Sequence, residues 1–313
     1  MTALSLDEIP PIGPAVVTLG VFDGVHRGHE HLLEATRLAA ADRSASSVAI
    51  VFEPHPDEVV RPGTAVPRLL PPDVTLGRLG SSGIDHVLAI RFDDTVRSME
   101  PESFLAALRP GIDLRGIVMT PESAFGRARR GTLDRVSEIG ATEGFDAIAA
   151  LPLEIDGVPV SSSRIRDRLA DGDIPAARAL LGSAPLLRGH VVHGDRRGRQ
   201  LGFPTANLAF GYTPALPALG IYLGHVDVAD RHVPPAHPAL VSVGVRPTFH
   251  DDGHVLVEVY LLDWDGDLYD AELSVTLHSR LRSERRFDSV EALVTQMRED
   301  EMEGRRRLAA DGG

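Results

Sequence analysis

"VTLGVFDGVHRGHEHLLEATRLAA" (residues 17–40) joins an apolar run to a stretch of helical periodicity and sets His26 and His29 at the joint. The segment "AVVTLGVF" (15–22) reads as a buried strand, and "HEHLLEATRLAAADR" (29–43) as a helix with Leu32, Ala35 and Ala39 on one face. In open α/β folds, the place where a strand ends and a helix begins is the edge where ligands bind. A helix N-terminus there presents N–H groups and the positive end of its dipole, a natural seat for phosphate. Gly24 and Gly28 let the backbone approach a ligand closely. Three uses of the two imidazoles compete. Zinc would recruit Asp23 or His31 as well, but structural zinc takes four ligands. Capping or packing accounts for one isolated histidine. Hydrogen bonding to a phosphoryl group accounts best for the whole pattern G-x-F-D-G-x-H-x-G-H, formed by Gly20, Phe22, Asp23, Gly24, His26, Gly28 and His29.

Further runs place this motif in a sheet. "SVAIVF" (47–52), "DHVLAIRF" (85–92) and "RGIVMT" (115–120) read as strands, and "EPESFLAAL" (100–108) as a helix between the last two. Strands alternating with helices imply a parallel α/β sheet. "SSRIRDRLADGDIPAARALLG" (162–182) reads as one helical stretch closing this half, and "VRPGTAVPRLLPPD" (60–73) as a long loop. From about residue 186 short β-rich runs follow one another with Gly, Pro and Asp turns and no intervening helix, which implies an antiparallel barrel. A final helix spans 289–310. The boundary falls near Ser183–Leu187, giving domains 1–185 and 186–313.

The totals set limits. The 313 residues suit two domains, each with its own core. Acidic residues number 45 against 32 basic ones, a net charge of −13 that argues against a nucleic-acid partner. Cysteine is absent, which excludes disulfides, thiolate zinc sites and thiol nucleophiles. Lysine is absent too, so phosphate chemistry falls to Arg, His, backbone N–H groups or a metal. No signal peptide opens the chain and no apolar run reaches membrane-spanning length, so no membrane partner is expected and the reading is cytoplasmic. Homo-oligomerisation stays open.

The only asparagine, Asn207, lies in "HGDRRGRQLGFPTANLAF" (193–210). Gly194, Gly198 and Gly202 bracket arginines, Arg199 among them, in an arch whose N–H groups suit phosphate; a glycine-rich β-turn is the plain alternative. Pro204 fixes the backbone. Thr205 and Asn207 then stand at i and i+2, which face one side of an extended segment. Two neutral oxygens form a weak cage of the kind Mg²⁺ accepts when it keeps waters and nucleotide phosphates. Glu258 stands in the apolar run "HVLVEVYLLDW", where a charge needs a partner. Trp264 and Tyr269 flank a "DGD" turn and read as barrel packing.

Two sets of motifs carry a family resemblance. "GVFDGVHRGH" resembles the H-x-G-H signature of the nucleotidyltransferase superfamily. "FEPHP" (52–56) and "VSSSRIR" (160–166) narrow it to the bacterial bifunctional riboflavin kinase/FMN adenylyltransferases, also called FAD synthetases. "GFPTAN" matches the P-T-A-N motif of their kinase module, and "GIYLGHV", "SVGVRPTF", "VEVYLLDWDGDLYD" and "LRSERRFDSVEALVTQM" match in order after it. The resemblance implies a Rossmann-like nucleotidyltransferase domain followed by a riboflavin-kinase-like antiparallel β-barrel with a terminal helix. It implies ATP as co-substrate, Mg²⁺ as cofactor, and riboflavin, FMN and FAD as substrates or products. His26 and His29 would hold the α-phosphate of ATP, while Ser162, Ser163 and Arg166 take the departing phosphates. Glu258 would be the general base for riboflavin, with Thr205 and Asn207 on the metal. Pro54, His55, Pro56, Phe125, Arg282 and Phe287 would contact flavin.

The resemblance weakens at "TPESAFGRARRG" (120–131), where Thr120, Glu122 and Ser123 replace the family's glycine, Asn/Asp and aromatic. That departure opens an alternative: a riboflavin kinase whose adenylyltransferase domain is degenerate, weakly active or inactive. A flavin-binding regulator without turnover is the rival from another class.

Overall fold

A computed structural model of the chain describes residues 3–194, 198, 201–229, 232–245 and 255–311. Two compact units result, Met1–Val66 with Leu70–Ser162, and Pro67–Leu69 with Ser163–Gly313.

The first unit runs β1 (Gly13–Gly20), α1 (Arg27–Asp42), β2 (Ser46–Glu53), α2 (Pro56–Val60), α3 (Pro72–Gly80), β3 (His86–Arg91), α4 (Asp94–Ser98), α5 (Pro101–Leu108), β4 (Ile112–Met119), α6 (Leu133–Glu143) and β5 (Asp146–Ala149), then a short hairpin of β6 (Glu154–Ile155) and β7 (Val158–Pro159). The sheet is parallel with order β3-β2-β1-β4-β5. Strand β1 is central because both its faces are buried. Ala15 and Val17 join the cluster of Phe104, Leu105 and Leu108, while Val16 joins Ala39 and Ala40 of α1. A continuous apolar run is what such a strand requires. Strand order reverses at β1, so its carboxyl end opens on the crevice where α/β sheets bind ligands.

Details depart from the sequence reading. The buried face of α1 is Leu33, Thr36, Ala39 and Ala40, with Leu32 and Ala35 only partly covered. Strand β5 has four residues and begins with Asp, too short and too polar at its start for a periodic signal. The loop expected at 60–73 is pinned by a bridge between Arg68 and Pro214, and Leu69 and Leu70 are buried.

In the second unit the helix expected over 162–182 is two, α7 (Ser162–Ala170) and α8 (Ile174–Leu181). The Asp173 side chain accepts from the Ala176 amide at 3.0 Å and so starts the second helix afresh. From Ser163 onward these helices belong to the same unit as the barrel, whereas the motif-based boundary lies at 185/186. The barrel is closed and antiparallel: β8 (Leu186–Val192), β9 (Ala206–Ala209), β10 (Gly220–Val228), β11 (His237–Val245), β12 (Val255–Leu261) and β13 (Glu272–Ser283), in spatial order β10-β11-β12-β9-β8-β13. Closure removes the unpaired edges that a six-stranded open sheet would leave. Helix α9 (Val290–Asp311) follows.

Phe104 is 2% exposed and its ring lies 5.9 Å from Phe52 and 5.5 Å from Phe125. Phe104→Ala should therefore cost about 3–5 kcal/mol, transfer loss plus cavity. Urea unfolding of the full chain measures it, and a loss under 1 kcal/mol would contradict this packing.

Candidate functional site

Between β1 and α1 the chain makes a strained turn. Phe22, Gly24 and Val25 all take positive φ, at 54°, 86° and 42°, and the Val25 amide closes the turn on the Phe22 carbonyl at 2.9 Å. Aromatic and β-branched residues rarely occupy that region, and such strain concentrates at functional sites. The turn delivers His26 to the N-cap of α1, where its Nδ1 accepts from the His29 amide at 3.3 Å. An accepting Nδ1 leaves the His26 proton on Nε2. The two rings stack with centroids 3.6 Å apart and planes 14° from parallel, and Phe22 lies 5.1 Å from His29. Gly28 makes the stack feasible: a Cβ there would stand 3.1 Å from the Val160 carbonyl and 3.2 Å from the His26 ring. A Cβ on Gly20 would meet the Phe22 ring at 3.5 Å, an ordinary contact.

Asp23 is buried, and its carbonyl accepts the Ser162 hydroxyl at 3.0 Å. The hydroxyl segment expected to meet phosphate is thus fastened at its first residue to the histidine turn. Ser163 and Arg166 belong to the second unit, where Arg166 Nε donates to the Pro67 carbonyl at 2.6 Å.

The flavin residues expected in the first unit divide. His55 is buried at the N-cap of α2, its Nδ1 accepting from the Asp57 amide at 3.1 Å, with Pro54 exposed before it and Pro56 opening the helix. Phe125 is 5% exposed and sits in the core beside Phe104, so almost none of its ring faces outward. The departures at 120–123 fit together: the Ser123 amide and hydroxyl donate to the Thr120 carbonyl at 3.0 and 2.8 Å, and the two hydroxyls lie 2.8 Å apart. Arg129 reaches the Glu122 carbonyl at 3.2 Å. A hydroxyl-closed turn stands where the family has glycine and an aromatic.

The barrel holds a cavity of about 390 Å³, within the size range of small-molecule sites. Gly194, Gly198, Pro204, Thr205, Asn207, Glu258 and Arg282 all line it. Thr205 and Asn207 share a face, alternating with buried Ala206 and Leu208. Asn207 is the direct cross-strand partner of Glu258, which alternates with buried Val257 and Val259. The Thr205 hydroxyl donates to Glu258 Oε1 at 3.2 Å, leaving its oxygen lone pairs free. Gly194 clears space for the amide: a Cβ there would stand 2.3 Å from Asn207 Nδ2. A cation ligated by neutral oxygens fits this set. Gly198 accepts the Leu201 and Phe203 amides at 3.0 and 2.9 Å, and Gly202 follows at φ 88°. Arg199 lies outside the described residues, as does the end of "SVGVRPTF".

The partner of Arg282 was not legible. Arg282 forks onto Asp300 of α9 with two 2.7 Å bonds, and both side chains are largely buried. Its guanidinium also lies 5.8 Å from the Phe287 ring. Asp300 sits in the charged run "REDEMEG", where nothing in the pattern marks one carboxylate as buried. Trp264 and Tyr269, expected to pack, line the cavity.

Burial holds the His29 imidazole well below its ordinary pKa, helped by the neighbouring His26. The ring is neutral in the folded chain at pH 7. A depressed histidine pKa means the unfolded chain binds the proton first, so stability falls as pH drops below about 6.5, by at most about 1.4 kcal/mol per pH unit for this one group. Urea midpoints between pH 7 and pH 5 should show a shallower decline in His29→Gln; equal slopes would contradict the burial.

Comparison with known proteins identifies a family for each half of the chain. A family model described as FAD synthetase matches residues 10–164, spanning the altered 120–123 turn, and one described as riboflavin kinase matches 181–308. The bifunctional riboflavin kinase/FMN adenylyltransferase of Pseudomonas fluorescens is 39% identical over 94% of this chain and 93% of its own. The Escherichia coli K12 protein of the same description is 34% identical over 96% and 95%. A solved structure from Streptococcus pneumoniae, described as a macrolide-efflux protein, has 30% identity and a TM-score of 0.84, covering 96% of this chain and 97% of that one. Among the described residues no helix is long and apolar enough to cross a membrane. The chain belongs to the bifunctional riboflavin kinase/FMN adenylyltransferase family.

Proposed function

We propose that the two constellations divide the two reactions of the family between them. The barrel phosphorylates riboflavin to FMN at the expense of ATP, and the N-terminal domain adenylylates FMN to FAD with release of pyrophosphate. By motif, 1–185 serves adenylyl transfer and 186–313 serves the kinase.

For adenylyl transfer, the FMN phosphate attacks the α-phosphorus of ATP in line and no covalent enzyme intermediate is needed. The work is positioning and charge neutralisation on phosphoryl oxygens. The stacked His26 and His29 at the start of α1 carry this reading, because they set two imidazoles side by side at a helix N-terminus that favours phosphate. Ser162, anchored on the Asp23 carbonyl, begins the segment assigned to the leaving pyrophosphate, followed in the chain by Ser163 and Arg166. A planar, permanently charged guanidinium suits that group.

For the kinase, a primary alcohol must lose its proton as it attacks the γ-phosphate, and Glu258 is the base. Its carboxylate is held on the cavity wall by Thr205. Thr205 and Asn207 would hold Mg²⁺, which when bound offsets charge on the ATP phosphates. Arg282, fixed by Asp300, presents a rigid cation to the same cavity.

The deciding assay supplies riboflavin, ATP and Mg²⁺ and measures FMN, FAD and pyrophosphate separately. His29→Ala should lower FAD formation roughly 10²–10³-fold while FMN formation continues. Glu258→Gln should lower FMN formation roughly 10²–10⁴-fold while added FMN is still converted to FAD. Wild-type rates in either variant would reassign that residue.

A further inference from the structure

In the second unit the carboxylate of Glu284 lies against the bare backbone of Gly244. A Cβ at Gly244 would stand 2.8 Å from Glu284 Oε1, 3.6 Å from the carboxyl carbon and 4.0 Å from Ser242 Oγ. Gly244 is on β11 and does not take the positive φ that often calls for glycine, so what the missing side chain provides is room. The Glu284 amide donates to the Leu219 carbonyl at 3.4 Å, which ties down the chain just beyond β13.

Among the described residues no hydrogen bond or ion pair reaches this carboxylate. Arginines on either side are engaged elsewhere, Arg282 on Asp300 and Arg285 on Gln296 at 3.3 Å. Glu284 is exposed, so a ligand has access to it. An ionised carboxylate accepts hydrogen bonds and donates none. Any ligand that covers it must bring donors or leave a charge desolvated and unpaired.

Glu284, Gly244, Ser242 and Glu258 all line the barrel cavity. Ser242 is the direct cross-strand partner of Glu258, and Gly244 follows two residues along β11 on the same face. Two residues of strand advance about 6.6 Å. On its other flank Glu258 faces Asn207 of β9 and Thr205, the side that the proposed kinase reaction gives to Mg²⁺ and ATP. In an in-line transfer the attacking alcohol enters opposite the leaving group. The alcohol therefore comes to Glu258 from the β11 side, where Ser242 and then Glu284 stand. Riboflavin's reacting hydroxyl ends a ribityl chain that carries further hydroxyls on the carbons behind it, and these pass along that wall.

We propose that Glu284 is a specificity-determining residue of the barrel cavity: seated on Gly244, its carboxylate accepts hydrogen bonds from the ribityl hydroxyls and so selects flavins that carry this polyol. The inference rests on the reading of Glu258 as the base for riboflavin.

The test reads inhibition of FMN formation by the full chain, so flavin bound anywhere but the kinase site does not enter. Two unreactive flavins compete with riboflavin: an analogue lacking only the terminal hydroxyl of the chain, and lumiflavin, which has a methyl group in place of the whole chain. Glu284→Ala should raise the inhibition constant of the first about tenfold and leave that of lumiflavin unchanged. Gly244→Ala should do the same, because its new methyl group displaces the end of a flexible side chain and meets no backbone. Either variant decides alone. An unchanged ratio of the two constants overturns the inference: a rise in both puts the carboxylate against the ring system, and a rise in neither puts it away from the flavin. A wild-type chain that makes no FMN overturns the kinase reading and the inference with it, an outcome that no ratio of inhibition constants imitates.

Discussion

A single contact, the His29 amide on the His26 ring nitrogen, organises the first candidate site. It satisfies one of the amides that every helix start leaves over, sets which edge of the ring can donate, and draws the two imidazoles into a stack. The left-handed residues of the preceding turn are tolerated because β1 is held on both sides and cannot drift. The chemistry of the site is thus an outcome of where a buried strand stops.

The second site is built on opposite means. The barrel strands do the positioning through register. A cross-strand pairing sets Asn207 opposite Glu258, and Thr205, just before β9, bonds to that carboxylate. Because side chains on a strand alternate strictly, a one-residue slip of β9 would turn Thr205 and Asn207 away from the cavity together and part them from Glu258. Closure of the barrel guards against that slip, as no free edge remains to re-pair.

What the sequence disclosed followed from spacing along the chain. The strand-to-helix joint, the alternation of strands and helices, and the facing of Thr205 and Asn207 are all local patterns, and all are present. Contacts brought together by tertiary packing were not legible. Phe125 matches a ligand motif yet fills core space beside Phe104, because burial depends on what arrives from α5. The Arg282–Asp300 pair joins a strand to a helix across 18 positions, and no periodicity announces it. The break between α7 and α8 depended on whether Asp173 would cap, a choice that a continuous helical pattern conceals.

The clamp between Arg282 and Asp300 bears on the order in which the protein matures on the ribosome. Residues of the first unit all precede the last strand and helix, so the adenylylating half has its whole sequence available early. The barrel cannot close until β13 pairs with β8, and its cavity wall is incomplete until Asp300 of α9 is in place. Until then Arg282 is an uncompensated cation at the margin of an apolar hollow. Without the last helix that charge would stay unbalanced, and the wall of the second cavity would lack one side.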